Sequence, residues 1–231
     1  MDKNSLIRIG VAFLVFFLIQ FIGGTVAKVL LYPITIMVTA LHELGHALGA
    51  IVTGGTINSL RINEDGSGYC VSAGGRPSII LMGGYIGSAI FGNMLFYLGV
   101  KRHWLDTTIL TIFGVLLSIA AIFWYDNLLS SILLISIAVG LFYLRDTHYK
   151  YEILIFIGIA SVWHIIADFN VGPSSDIAMY ASIIGIFSST VWKYIWLFIV
   201  LTLTAFNLKW IFQKKTSSGS PFQRERQAKG Q

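Results

Sequence analysis

Residues 29–53 read VLLYPITIMVTALHELGHALGAIVT, an apolar run that is interrupted by the ionisable side chains of His42, Glu43 and His46. An α-helix needs about 20 mainly apolar residues to cross a hydrocarbon core ~30 Å thick, and this run is long enough. It therefore predicts a membrane-spanning helix that carries three ionisable groups within little more than one turn.

Six further stretches have the same apolar character. A sliding window of about 19 residues finds them at Leu6 to Val26, Ser78 to Val100, Thr107 to Tyr125, Leu128 to Leu144, Tyr151 to Asp168, and Lys193 to Phe212. The composition agrees, because only 12% of the 231 residues are charged, against ~25% in soluble domains. We predict an all-α, multi-pass integral membrane protein, a polytopic bundle of about six to seven transmembrane helices.

The basic residues indicate topology and not a nucleic-acid partner. The formal charge is +5, and the basic side chains lie in short loops and in the C-terminal tail. This distribution follows the positive-inside bias, so we expect a cytoplasmic tail, a lipid bilayer as the surroundings and no nucleic acid. Residues 1–213 are predicted to form one membrane domain, and residues 214–231, rich in Ser, Gly, Gln and charge, a disordered tail.

The longest polar interval between the predicted spans is Gly54 to Pro77, where apolar residues alternate on both sides of Glu64-Asp65-Gly66. Alternation around a turn-forming sequence is typical of a β-hairpin. We predict a short hairpin after the second span, with an edge strand suited to pairing with an unwound peptide. Cys70, the single cysteine, is expected to be a small loop residue, because it has no partner for an intrachain disulfide.

His42, Glu43 and His46 form the pattern H-E-x-x-H. A helix places His42 and His46 on one face, where both can bind the same Zn²⁺, and Glu43 is placed to take a proton from a water on the metal. Membrane depth favours this interpretation, since a charged side chain there costs on the order of 2.5–3.5 kcal/mol unless it has a partner. The alternative is a polar cluster that only holds helices together.

A catalytic zinc site takes a third protein ligand from elsewhere in the chain. The candidates near membrane depth are His164, Asp168 and Asp176; His164 and Asp168 are four residues apart and could also act as a pair or support a ligand by a hydrogen bond. Asp106 and Asp126 lie in predicted loops, where we expect solvated charges.

Asp176 follows a break in the helical pattern. Pro173 is expected to end one helix and Ser174 or Ser175 to cap the next, which leaves Asp176 in a first turn whose free N–H groups favour a carboxylate. In the third span, small residues recur from Gly83 to Asn93, and we expect them to pack against the helix of the H-E-x-x-H motif, with substrate contact as the alternative.

These residues resemble the site-2 protease class of intramembrane zinc metalloproteases, peptidase family M50, and within it the M50B-like branch. His42 to His46, followed by Thr53-Gly54-Gly55, is similar to the family motif and its continuation into a β-hairpin. Residues 169–176, FNVGPSSD, are similar to the family segment F-N-x-x-P ending in L-D-G. The resemblance implies that Asp176 is the third zinc ligand and that Asn170 contacts substrate.

The implied function is hydrolysis of a peptide bond in a transmembrane protein substrate, with Zn²⁺ as cofactor and Glu43 as general base. Ile177 stands where the family segment has Gly, so Asp168 stays an alternative ligand. Two other functions remain open: a membrane metal-binding or transport protein, and a catalytically inactive relative that binds transmembrane helices.

Overall fold

The computed structural model describes residues 3–101, 104–167, 172 and 175–213. In chain order the elements are α1 Lys3–Ile22, α2 Gly24–Val52, β1 Thr56–Ile62, β2 Gly68–Ala73, α3 Pro77–Met82, a π-helical segment Gly83–Gly87, α4 Ser88–Lys101, α5 Asp106–Phe123, α6 Leu128–Leu144, α7 Lys150–Ala167, α8 Asp176–Ile184 and α9 Ser189–Phe212. The tail of residues 214–231 and its predicted cytoplasmic side lie outside the described residues.

Six of the described helical stretches are long and apolar enough to cross a membrane. They are α1, α2, the continuous run Pro77–Lys101, α5, α7 and α9, and α6 is a shorter apolar helix. The prediction of an all-α membrane bundle of about six to seven spans, with one small hairpin, is confirmed.

The boundary between the first two spans differs from the predicted one. Helix α1 ends at Ile22 and α2 begins at Gly24, whereas the hydropathy pattern placed the end of the first span at Val26. Gly23 and Gly24 have φ values of 65° and 61°, in the left-handed region that glycine adopts without a Cβ penalty. A hydropathy window measures apolarity only and does not detect this backbone break.

Helix α2 lies at the centre of the bundle. Leu41 and Leu44 are fully buried and belong to one apolar cluster with Leu95 of α4, Leu117 of α5 and Leu154 of α7. The helix that carries the H-E-x-x-H motif is thus packed from several sides, which restricts how its polar face can be oriented.

Helix α3 and the π-helical segment both approach α2 at backbone contact distance. A Cβ built on Gly45 would overlap the carbonyl group of Gly83, and one on Gly49 would lie 3.0 Å from the carbonyl oxygen of Ile79. The predicted packing of small residues against the motif helix is confirmed for Gly83. Gly92 instead contacts Ser161 of α7.

The hairpin is antiparallel, as predicted, and its first strand is covered. The amide of Leu60 donates to the carbonyl oxygen of Trp124 at 2.9 Å, and that of Ile62 donates to Oγ of Ser130 at 2.9 Å. The C-terminal end of α5 and the first turn of α6 therefore cover the outer edge of β1. In the described part of the chain, β2 pairs with β1 alone.

Asp106 is not a solvated loop charge, so that prediction was wrong. It begins α5 with 4% of its surface exposed, and its Oδ2 lies 2.9 Å from Nζ of Lys150 at the start of α7. Asp126, with its side chain 20% exposed, pairs with Arg61 of β1 at 3.3 Å. Both pairs join residues distant in sequence, which local pattern does not reveal.

Cys70 lies within strand β2, so the prediction that it is a loop residue was wrong. Burial, together with the negative charge of Glu43, raises the pKa of its thiol to about 12. The thiol is therefore neutral and weakly nucleophilic at neutral pH.

We predict that Gly45→Ala destabilises the bundle, because the added methyl group would overlap the backbone of Gly83. Overpacking of this kind costs typically about 1–3 kcal/mol. The melting temperature of the detergent-purified protein should fall by several degrees. Gly140→Ala is the matched control, since a Cβ there has no atom within 4 Å; equal melting temperatures for the two variants would contradict the close approach.

Candidate metal centre

Three side chains from distant parts of the sequence converge at one point. Nε2 of His42 lies 3.1 Å from Oδ2 of Asp176, Nε2 of His46 lies 3.2 Å from the same oxygen, and the two Nε2 atoms are 3.1 Å apart. Among the described residues, His42, His46 and Asp176 form a cluster that could hold a metal ion. The three atoms thus form a nearly equilateral triangle.

The size of this triangle fits a tetrahedral zinc ion. Zinc–nitrogen and zinc–oxygen bonds of about 2.0–2.1 Å at tetrahedral angles separate neighbouring ligand atoms by ~3.3 Å. The observed separations of 3.1 and 3.2 Å are close to this value. Two imidazoles and one carboxylate also match the donor set of catalytic zinc sites.

The orientation of His46 supports the same interpretation. Its Nδ1 lies 2.7 Å from the carbonyl oxygen of Ile80, and because a carbonyl only accepts hydrogen bonds, Nδ1 must donate. In the neutral imidazole, Nε2 then carries a lone pair that faces the carboxylate of Asp176. A cation between these groups would remove the repulsion. A backbone carbonyl that accepts from the other ring nitrogen is one of the usual supports of a metal-binding histidine.

Asp176 reaches the motif helix from the start of α8. Ser175 is the N-cap of this helix, and its Oγ accepts a hydrogen bond from the amide of Ala178 at 3.3 Å. Asp176 lies in the first turn of α8, as predicted, and is its first residue; the neighbouring Ile177 is fully buried. The Ser175 cap and the buried Ile177 together fix the Asp176 carboxylate at the N-terminal end of α8.

Gly84 leaves room for the three ligand atoms. A Cβ there would lie 2.5 Å from Nε2 of His46 and 2.6 Å from Nε2 of His42. The π-helical segment that contains Gly84 brings its backbone directly against the site, and π-helical turns are frequent at functional sites. Helix packing, with substrate contact as the alternative, was predicted for this stretch, but the contact of Gly84 with the histidine nitrogens was not, since nothing in the sequence marks a π-helical turn.

Glu43 lies beside the ligands in a cavity of about 330 Å³. Its side chain is buried, with 4% of the residue exposed, and its Oε2 has no hydrogen-bond partner among the described residues. Residues Asp65 to Gly68 of the hairpin turn line the same cavity. The hydroxyl of Thr39 holds this turn by donating to the carbonyl oxygen of Gly66 at 2.6 Å.

Comparison with protein families identifies the chain. A family model described as Peptidase M50B-like matches residues 7–207, which include all the elements that build the site. The chain belongs to the M50B-like peptidase family. It is thus an integral membrane protein of a peptidase family, as the resemblance implied. Comparisons with curated proteins and with solved structures gave no match.

Three further site residues were predicted for this M50B-like peptidase: His164, Asp168 and Asn170. His164 of α7 lines the wall of the cavity, but it is not one of the three clustered ligands. Asp168 and Asn170 lie outside the described residues, so their predicted roles stay predictions. Of the candidate third ligands, the structure brings Asp176 to the two motif histidines.

We predict about one zinc ion per chain in the detergent-purified protein. His46→Ala and Asp176→Ala should each lose it, because each substitution removes one ligand, whereas Asp168→Ala should keep it. Metal content by mass spectrometry after zinc loading measures this directly.

The matched controls are His148→Ala and Asp146→Ala, which change an exposed imidazole and an exposed carboxylate far from the cluster. Both should keep the zinc. Loss of zinc on Asp168→Ala, with retention on Asp176→Ala, would contradict the assignment of the third ligand.

Proposed function

We propose that this chain is a zinc-dependent endopeptidase that hydrolyses a peptide bond of a membrane-embedded protein substrate. The observation that carries the proposal is the convergence of His42, His46 and Asp176 within 3.2 Å of one another beside buried Glu43. Family membership supports a peptidase, and the position of the cluster on a membrane-spanning helix supports a substrate within the bilayer.

His42, His46 and Asp176 would hold the zinc ion. Bound there, Zn²⁺ supplies a Lewis acid that polarises a peptide carbonyl and lowers the pKa of a water. Gly84 keeps the ligand nitrogens accessible, because any larger residue would place its Cβ on them.

Glu43 acts as the general base and then as the general acid. It accepts a proton from the attacking water as the new bond forms between the water oxygen and the carbonyl carbon. The same proton passes to the amide nitrogen as the C–N bond breaks, which releases one carboxyl and one amino product. Burial keeps the Glu43 carboxylate away from competing solvent.

The substrate must be locally unwound, because carbonyls in a transmembrane helix are occupied by backbone hydrogen bonds. Strand β2 offers such a segment a partner. Leu60 directs its amide away from β2, so Cys70, the residue opposite it, directs its own amide to the outer edge of β2. Gly68 at the end of this strand lines the cavity with Glu43. We propose that unwound substrate pairs with this edge.

We predict that Glu43→Gln abolishes turnover and leaves the zinc content unchanged, because the amide keeps the shape of the side chain but does not accept a proton. General-base catalysis contributes typically about 10²–10⁴-fold, so loss of at least a hundredfold is expected. Cleavage of single-span membrane proteins reconstituted with the enzyme, read as new N-termini by mass spectrometry, measures it.

Two results would contradict hydrolysis at this site. Cleavage at the wild-type rate by Glu43→Gln would exclude Glu43 as the base. Zinc flux across proteoliposomes that survives this substitution, without cleavage by the wild type, would favour the alternative of a metal transporter.

We also predict that Cys70→Pro impairs cleavage by about tenfold or more, because it removes the edge amide and not a hydrogen bond of the β1–β2 ladder. Zinc content and melting temperature should stay at their wild-type values. Cys70→Ala removes only the thiol and should cleave normally. Normal cleavage by Cys70→Pro would exclude pairing at this position.

A further inference from the structure

Ser88 is a buried hydroxyl on the wall of the catalytic cavity with no visible role in the fold. It is the first residue of α4, with 1% of its surface exposed. Its Oγ has no hydrogen-bond partner among the described residues. A buried hydroxyl without a partner costs free energy, so its retention needs a reason.

Several other helical hydroxyls in this bundle donate to a backbone carbonyl of their own helix. Oγ of Ser118 donates to the carbonyl oxygen of Gly114 at 2.8 Å, and Oγ of Ser136 to that of Ile132 at 2.7 Å. This bond to the residue four positions earlier is the common solution for a serine within a helix. Ser88 does not use it, although Gly84 stands four positions before it.

The position of Ser88 relates it to the ligands. Gly84 faces the Nε2 atoms of His42 and His46, and residues four apart lie on the same helix face about one turn along. Ser88 therefore lies about one helical turn beyond the proposed metal centre. Like Glu43 and Tyr85, it lines the cavity.

We propose that Ser88 is a substrate-binding residue whose hydroxyl donates a hydrogen bond to a carbonyl oxygen of the peptide in the cavity. The inference rests on the proposed function, since it takes an unwound peptide as the ligand. The carbonyl groups of an unwound peptide have lost their helical hydrogen bonds, and the hydroxyl of Ser88 has no acceptor among the described residues. Each group satisfies the other in a site from which water is displaced.

Ser161 of α7 provides a matched control. It is fully buried, and its Oγ also has no partner among the described residues. It lies at the helix contact with Gly92, and it does not line the catalytic cavity. Removal of its hydroxyl tests what the loss of a buried, unpaired serine does by itself.

The test measures binding of two zinc-directed probes to the zinc-loaded, detergent-purified protein by calorimetry. Acetohydroxamate carries only the metal-binding group, whereas acetyl-leucyl-alanyl hydroxamate adds peptide carbonyls. Ser88→Ala should weaken the peptidyl probe about fivefold, the order of one neutral hydrogen bond, and leave acetohydroxamate unchanged. Ser161→Ala should leave both affinities unchanged.

The melting temperature of the Ser88 variants distinguishes a role of Ser88 in binding from a role in the fold. Because Ser88 makes no hydrogen bond in the described fold, Ser88→Ala should melt at or above the wild-type temperature with the same zinc content. Ser88→Cys, which keeps the volume and weakens the donor, should bind the peptidyl probe with intermediate affinity. Equal affinity of wild type and Ser88→Ala for the peptidyl probe would overturn the inference.

Failure of the inference and failure of the proposed hydrolysis give different results. Cleavage by Ser88→Ala with wild-type kcat/KM would overturn the role of Ser88 and leave hydrolysis intact. Binding of the peptidyl probe that depends on Ser88, in a wild-type protein that cleaves no membrane substrate, would overturn hydrolysis and leave the binding role intact.

Discussion

The cost of burying ionisable groups at membrane depth is the constraint on which the rest of this structure depends. His42, Glu43 and His46 lie in an apolar helix packed at the centre of the bundle, and an unpaired charge at membrane depth is expensive. The chain meets this cost by bringing Asp176 from α8 to the two imidazoles and by placing the carbonyl of Ile80 behind His46. A cation at the centre of this cluster would complete the balance of charge.

Close backbone packing makes that arrangement possible. The contact between Gly45 and Gly83 brings the π-helical segment against α2, and Gly84 then lies directly on the ligand nitrogens. A side chain at any of these three positions would separate the helices or fill the site. The same segment leads into Ser88, so one irregular turn both leaves room for the cluster of His42, His46 and Asp176 and forms part of the wall of the cavity beside it.

Much of this organisation follows from local sequence. Apolar length predicts the spans, alternation around residues 64–66 predicts the hairpin, and the spacing of His42 and His46 predicts a shared helix face, since each depends only on neighbours along the chain. Asp176 needed the family resemblance and the capping pattern, because its contact with α2 joins residues far apart in sequence.

The features that sequence did not reveal are long-range or depend on backbone geometry. The ion pair of Asp106 and Lys150 and the coverage of β1 by the end of α5 and the start of α6 arise only when distant elements meet. The π-helical turn at Gly84 has no distinct residue pattern. The left-handed backbone conformation of Gly23 and Gly24 likewise cannot be detected in a hydropathy average.

We propose that two imidazoles and one carboxylate bind zinc in the bilayer, and X-ray absorption at the zinc edge of the zinc-loaded protein would reveal these ligands. We expect a four-coordinate ion with nitrogen and oxygen neighbours at about 2.0–2.1 Å and the scattering pattern of two imidazoles. A sulfur neighbour at about 2.3 Å, or a shell of oxygens without imidazole, would contradict it.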